Sequence, residues 1–174
     1  MKKNVFIIGG CRSGKSRQAL MIAENLAREK RVFIATCIAY DDEMKDRIAK
    51  HRQERSRRWH TVEAPLHLPE AILEAGGAAG VLLVDCLTLW INNLLMEKHD
   101  TDQITDQVQS LARAVKAVAC PVILVSNEVG TGIVPENSLA RLYRDLVGSA
   151  NQVVAECADR VIWMVAGIPV TIKG

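Results

Sequence analysis

The chain has 174 residues, enough for one domain and short for two. Hydrophobic residues make up 49% and charged residues 24%, the balance of an ordinary globular protein, which excludes disorder as the main state. Lys+Arg 22 against Asp+Glu 20 leaves a formal charge of +2, and aromatics are only 4%, so neither a global field nor base stacking argues for nucleic acid.

In chain order, Val5 to Ile8 reads as a buried strand that runs into a glycine-rich turn. A helix from Ser16 to about Arg28 follows, with Ala19, Leu20, Ile22, Ala23, Leu26 and Ala27 on a broad apolar side. Val32 to Ala35 is a second strand, and Asp42 to Arg58 a highly charged helix. Pro69 to Glu74 reads as a short helix stopped by Gly76-Gly77. Val81 to Val84 is a third strand closing on Asp85, and Leu87 to Met96 a mostly apolar helix. Ile104, Val108, Leu111, Ala112, Val115 and Val118 mark another helix, ahead of a fourth strand from Val122 to Val125. The polar loop Ser126–Asn137 precedes a long helix from Ser138 to about Ala158. Val161–Val165 and Val170–Ile172 flank Gly167-Ile168-Pro169 as a terminal hairpin.

Continuous apolar strands alternating with helices imply an α/β domain over residues 1–174, with a mostly parallel central sheet and helices on both faces. The last strand, reached through so short a loop, is expected to be antiparallel. No apolar run approaches the ~20 residues of a membrane-spanning helix, and the first strand is too short for a signal-peptide core. The five cysteines, Cys11, Cys37, Cys86, Cys120 and Cys157, show no zinc-ligand spacing, so reduced thiols in a cytoplasmic protein are the expectation.

Gly9-Gly10-Cys11-Arg12-Ser13-Gly14-Lys15-Ser16 matches G-x-x-x-x-G-K-[ST] and stands between a strand and an amphipathic helix, as that motif must. Its glycines let the backbone curl until successive N–H groups point at phosphate oxygens, and the helix N-terminus adds partial positive charge. Lys15 is expected to reach the β- and γ-phosphates and to act catalytically, and the Ser16 hydroxyl to bind Mg²⁺. Asp85, at the end of the third strand, has two readings: a carboxylate for Mg²⁺, or a helix N-cap for the segment at Leu87. Ser126-Asn127-Glu128-Val129 does not supply the N-K-x-D element of a regulatory GTPase. A small-molecule phosphotransferase fits best.

On the charged helix, at ~100° per residue, Met44, Ile48, His51 and Arg55 share one stripe that must face the protein body. Arginines 52, 55, 57 and 58 disfavour imidazolium and would neutralise polyphosphate. Two readings of His51 stand on periodicity: a nucleophile at an α-phosphate, or a packing histidine on a basic helix.

The whole chain resembles the bifunctional adenosylcobinamide kinase / adenosylcobinamide-phosphate guanylyltransferase family of cobalamin biosynthesis. The carriers are GGCRSGKS, Ala35-Thr36, DDEMKDRIAKHRQER with Trp59 and Thr61-Val62-Glu63, LLVDCLT around Asp85, and SNEVGTGIVPENSLARLYRDLVGSANQ from Ser126 to Gln152. The resemblance implies a recombinase-like P-loop NTPase fold and a homo-oligomer, a trimer. It also implies two reactions: phosphorylation of the aminopropanol hydroxyl of adenosylcobinamide by ATP or GTP, then GMP transfer from GTP through a guanylyl-histidine. The family's R-I-x-x-H-[RK] histidine falls on His51. Its nucleotide-contacting positions fall on Thr36, Cys37 and Ile38, on Arg52, Gln53, Glu54 and Arg55, and on Glu63 and Asp85. Two positions depart from the family: Lys50, where some relatives carry a second histidine, and Cys11, where a small Ala is commoner. Glu128 is a candidate for orienting the acceptor hydroxyl. The rival enzyme reading is a P-loop small-molecule kinase without nucleotidyl transfer, which would never carry a protein–nucleotide label. The rival outside enzymes is a nucleotide-dependent switch with the charged helix as its docking face.

Overall fold

The computed structural model describes residues 4–39, 42, 45, 46, 49 and 58–174. Within them a seven-stranded sheet has the order β3-β2-β4-β5-β1-β6-β7. The strands are β1 (Val5–Gly9), β2 (Arg31–Ala35), β3 (Trp59–Glu63), β4 (Val81–Asp85), β5 (Val122–Asn127), β6 (Arg160–Val165) and β7 (Ile168–Lys173). Every neighbouring pair is parallel except β6–β7, the antiparallel hairpin expected from its short connection.

The strands in the middle carry apolar residues at consecutive positions because both faces of the sheet are covered. Phe6, Ile34, Leu82, Val84, Val122 and Leu124 point into one core, and Val5, Ile7, Phe33, Leu83, Ile123 and Val125 into the other. On the second face lies α1 (Lys15–Leu26), whose Ala19 and Ala23 let the helix sit close to the sheet. On the first face lie α2 (Leu68–Gly76), α3 (Leu87–Met96), α4 (Thr101–Ala117) and α5 (Ser138–Cys157). The large side chains of that core, Trp90, Leu68, Ile72, Leu87, Ile91 and Ile104 among them, are fully buried.

Local chemistry marks several boundaries. Asp100 accepts from Gln103 N at 2.8 Å while Gln103 Oε1 accepts from Asp100 N at 2.9 Å, a reciprocal capping box that starts α4. Asn137 caps α5 through Ala140 N at 3.0 Å.

The expected strands and the α/β class are present, but β3 is an addition that the sequence did not signal. In Trp59-His60-Thr61-Val62-Glu63 only Trp59 is buried, because this is the edge strand and one edge needs few apolar contacts. The charged helix over Asp42–Arg58 falls mostly outside the described residues; Asp42, Lys45, Asp46 and Ala49 within it are helical, with Lys45 paired to Asp42 at 2.9 Å. His51, Arg52, Gln53, Glu54 and Arg55 lie outside the described residues.

Candidate active site

The glycine-rich turn leaves β1 at the C-terminal rim of the parallel strands, where ligands of open α/β sheets bind. Gly9 must lack a side chain, since a Cβ there would sit 2.5 Å from the carbonyl oxygen of Met164 on the neighbouring β6. Gly14 adopts φ 90°, the left-handed conformation that turns the chain into α1, and Arg12 also has positive φ at 53°. Ser13 N donates to Gly10 O at 3.4 Å, and Gly167 N, in the β6–β7 turn, donates to Ser13 O at 3.2 Å. The loop is thus closed on itself and tied to the neighbouring β6–β7 turn.

Lys15 begins α1 and is buried. Its Nζ donates to Gly10 O at 2.5 Å and to Ser13 Oγ at 3.5 Å, so the ammonium folds back over the loop it belongs to. Burial pushes its pKa below the ordinary lysine value, while the carboxylate of Asp85 pulls the other way. Ser16 Oγ donates to Asp85 Oδ2 at 2.8 Å across 69 positions of sequence. The residue that caps α3 is Cys86, whose side chain makes no cap bond, so the N-cap reading of Asp85 does not hold. Its carboxylate instead meets the phosphate loop, two strands away in the sheet.

Behind Asp85 a buried latch fixes the rim. Thr36 Oγ1 donates to Cys86 O at 2.7 Å and accepts from Cys86 N at 2.8 Å, and Asn93 Nδ2 reaches Thr36 O at 2.7 Å and Pro65 O at 3.0 Å. Thr36 is wholly buried, with its hydroxyl engaged by Cys86, while Cys37 and Ile38 emerge toward the surface. Cys86 is buried against Asp85, and burial first, then that carboxylate, pushes its thiol up to about 11, which keeps it protonated and inert. Cys11, by contrast, is exposed in the loop. Glu63, at the end of β3, stands four strands from β1, roughly 19 Å along the rim at ordinary strand spacing, and so is not brought to Lys15.

After β5 the chain turns back over the loop. Glu128 N donates to Gly9 O at 3.0 Å, and the Glu128 carboxylate accepts from Gly130 N at 2.6 Å. Asn127 Nδ2 donates to Thr88 Oγ1 at 3.0 Å, Asn151 Nδ2 to Asn127 O at 3.3 Å and Tyr143 OH to Thr88 O at 3.1 Å, a seam that joins β5 to α3 and α5. Sequence reasoning missed this seam and the Thr36 latch; the polar pair Asn92-Asn93 in an otherwise apolar helix is the one local signal of them.

A strand, a curled glycine loop, a lysine and a serine opposed by a strand-end carboxylate define a P-loop nucleotide-using α/β protein. The fold likeness agrees: a solved ATPase domain superposes with TM-score 0.53 at 13% identity, covering 93% of this chain and 69% of that one. A Pyrococcus horikoshii OT3 structure gives 0.59 at 10% identity, covering 99% and 86%. The chain belongs to the cobinamide kinase / cobinamide phosphate guanyltransferase family, whose model matches residues 5–172. It is 43% identical over 171 residues to the bifunctional adenosylcobalamin biosynthesis protein CobP of Pseudomonas aeruginosa, covering 97% of this chain and 96% of that protein. It is 40% identical over 181 residues to CobU of Escherichia coli K12, covering 97% and 99%. The protein is accordingly a bifunctional cobinamide kinase and guanylyltransferase of adenosylcobalamin biosynthesis, and this family and the P-loop imply nucleotide and corrinoid substrates. No described helix is long and apolar enough to cross a membrane.

Proposed function

We propose that one phosphate loop serves both half-reactions and that His51 carries GMP between them. The observation that supports this most directly is the convergence of Lys15, Ser16 and Asp85 at a single loop, with no second G-x-x-x-x-G-K-[ST] motif in the sequence. In the first reaction the aminopropanol hydroxyl of adenosylcobinamide attacks the γ-phosphorus of ATP or GTP, losing its proton as the nucleoside diphosphate leaves. Such transfer needs positioning and charge stabilisation more than covalent help, which loop N–H groups and Lys15 supply. Glu128, part-buried with its N–H on Gly9 O, is the candidate for orienting the hydroxyl.

In the second reaction an unprotonated ring nitrogen of His51 attacks the α-phosphorus of GTP. The P–O bond to pyrophosphate breaks and a P–N bond forms. The phosphate made in the first reaction then attacks the same phosphorus, breaks the P–N bond and leaves as adenosylcobinamide-GDP, with His51 restored. Arg52 and Arg55 neutralise charge on the nucleotide, while Gln53 and Glu54, and Thr36, Cys37, Ile38 and Glu63 along the rim, complete its contacts. The site residues in this scheme are the loop 9–16, this rim set, His51 and Asp85.

Ser16 and Asp85 offer two hard oxygens 2.8 Å apart, and among the described residues no cluster of three or more His, Cys, Asp or Glu could hold a metal. That donor set suits Mg²⁺, which takes few protein ligands and fills its shell with water and phosphate oxygens. When bound, the ion would neutralise charge on the phosphates. We assign the family's trimeric assembly to this chain on the same footing, with sedimentation as its check.

The deciding experiment is incubation with α-labelled GTP and Mg²⁺, followed by mass spectrometry of the adduct. The expected label is acid-labile and base-stable and sits on His51. His51→Ala should lose both label and guanylyl transfer while keeping the kinase reaction; normal labelling of that variant overturns the assignment. Lys15→Ala should lower both activities by about a hundredfold or more, because one loop holds the triphosphate in each.

A further inference from the structure

The β6–β7 hairpin carries an apolar face that stays exposed among the described residues. Trp163 pairs across to Val170 and Val165 to Ile168, which sets the four side chains on one face of the sheet. Their exposures are 43%, 42%, 42% and 65%. They lie on the face occupied by α5, on the far side of the residues it buries: Val161, two residues before Trp163, is in the α5 core. Scattered apolar residues on a surface need no explanation, but four contiguous ones on an edge hairpin do.

This face leads into the phosphate loop. Trp163 pairs in register with Ile8 of β1, next to the start of the loop, and lines a cleft of about 290 Å³ with Gly10, Cys11, Glu128 and Thr131. The loop that supplies Glu128 and Thr131 to the cleft is braced from α5: Arg144 donates to Gly130 O at 2.7 Å and to Ile133 O at 3.2 Å. The exposed apolar face of the hairpin therefore adjoins, through Trp163 and Val165, a small cleft that ends on the phosphate loop.

The geometry points to this surface as the corrinoid-docking site: the macrocycle lies on Trp163, Val165, Val170 and Ile168, and the hydroxyl-bearing arm enters the cleft toward the phosphate loop. The inference rests on the kinase reading above and deepens it. The methyl groups and ring edge of a macrocycle match an exposed indole and aliphatic floor, with its amide arms left to water, as ligand sites are lined mostly by apolar and aromatic groups. The cleft is far too small for the macrocycle and adequate for a side arm. An acceptor must also bring its hydroxyl to the loop, and this apolar face adjoins it.

The test is corrinoid binding, read apart from catalysis by equilibrium dialysis of adenosylcobinamide against wild type, Trp163→Ala, Trp163→Phe and Ile168→Ser. Trp163→Ala should weaken adenosylcobinamide about tenfold, with KM for the corrinoid rising in parallel, Trp163→Phe recovering most of the affinity and Ile168→Ser losing a smaller share. Nucleotide affinity and labelling by α-labelled GTP should stay at wild-type levels, which also shows that the variants fold. Unchanged corrinoid affinity in Trp163→Ala and Ile168→Ser overturns the proposal while a working wild-type kinase keeps the functional reading. Loss confined to nucleotide affinity would assign the face to a nucleobase, and loss of self-association alone would assign it to a second copy of the chain; either overturns it. Trp163-dependent corrinoid binding in a wild type that does not phosphorylate the corrinoid would sink the kinase reading and leave the docking site standing.

Discussion

Lys15 is a buried ammonium whose hydrogen bonds go to uncharged partners, Gly10 O and Ser13 Oγ. Burial disfavours its charged form more than Asp85 favours it, so its folded pKa lies below the unfolded value of 10.5. Between those two values the unfolded chain binds more protons than the folded one, and stability contributed at this site rises with pH. Lys15→Met should therefore be more stable than wild type in nucleotide-free urea unfolding at neutral pH, though inactive. Its advantage should shrink as pH climbs through the depressed folded pKa toward 10.5. A gap that widens with pH would contradict the burial argument. The trade is an expected one, since a phosphate-binding cation is arranged for its ligand and not for the stability of the chain.

Thr36 shows how much one hydroxyl does for this rim. Thr36→Val keeps the shape but strands the N–H of buried Cys86, while its carbonyl keeps the Trp90 N–H at 3.3 Å. The expected cost is about 2 kcal/mol, read as a lower urea midpoint at unchanged slope, and Thr36→Ser should recover most of it. Cys86 adjoins Asp85, so the same variant should weaken nucleotide binding without touching the loop itself.

The helices and strands were legible where their own chemistry sufficed. The apolar stripe of α4, the apolar runs of β1, β2, β4 and β5, and the tight hairpin after β6 each carry their signal in nearby residues. β3 does not: an edge strand with one buried residue has no apolar run to read, and its neighbour β2 supplies the pairing. Interfaces between elements were equally silent. Gly76 closes α2 against the end of α4, where an added Cβ would sit 2.3 Å from Val118 Cγ1 and 2.7 Å from Val118 Cβ. Gly76→Ala should cost about 1–3 kcal/mol in chemical unfolding although alanine is the better helix former, and Val118→Ala in the same chain should relieve only the part due to the Cγ1 contact, since its Cβ stays. Additivity of the two substitutions would show that the helices do not meet there.

Across the molecule, the order β3-β2-β4-β5-β1-β6-β7 puts β4, β5 and β1 in the middle, covered on both faces, and leaves β7 exposed along its length. Amide hydrogen exchange should follow that order. Amides of Leu83, Leu124 and Ile7 should exchange only with global unfolding, and those of β7 on the order of a hundredfold faster. Uniform protection across the sheet would mean that the hairpin is covered in solution. Exchange measured with adenosylcobinamide present adds a second reading, since the docking site inferred above should slow β7 and spare β3.

The phosphate loop was readable as a string because all its parts are consecutive: curl, lysine, serine and helix start are joined by covalent bonds, and no distant partner is needed to make them a site. The family resemblance rests on such local runs too. The choice between two roles for Asp85 was different. A carboxylate before a helix looks the same in sequence whether it caps or faces a phosphate, and only the passage of β4 two places from β1 brought it to Ser16. The Thr36 latch, the distance of Glu63 from Lys15 and the cleft beneath Trp163 likewise depend on which strands lie side by side. Strand order is set by the burial of two apolar cores at once, a property of the assembled chain that no short stretch of residues carries.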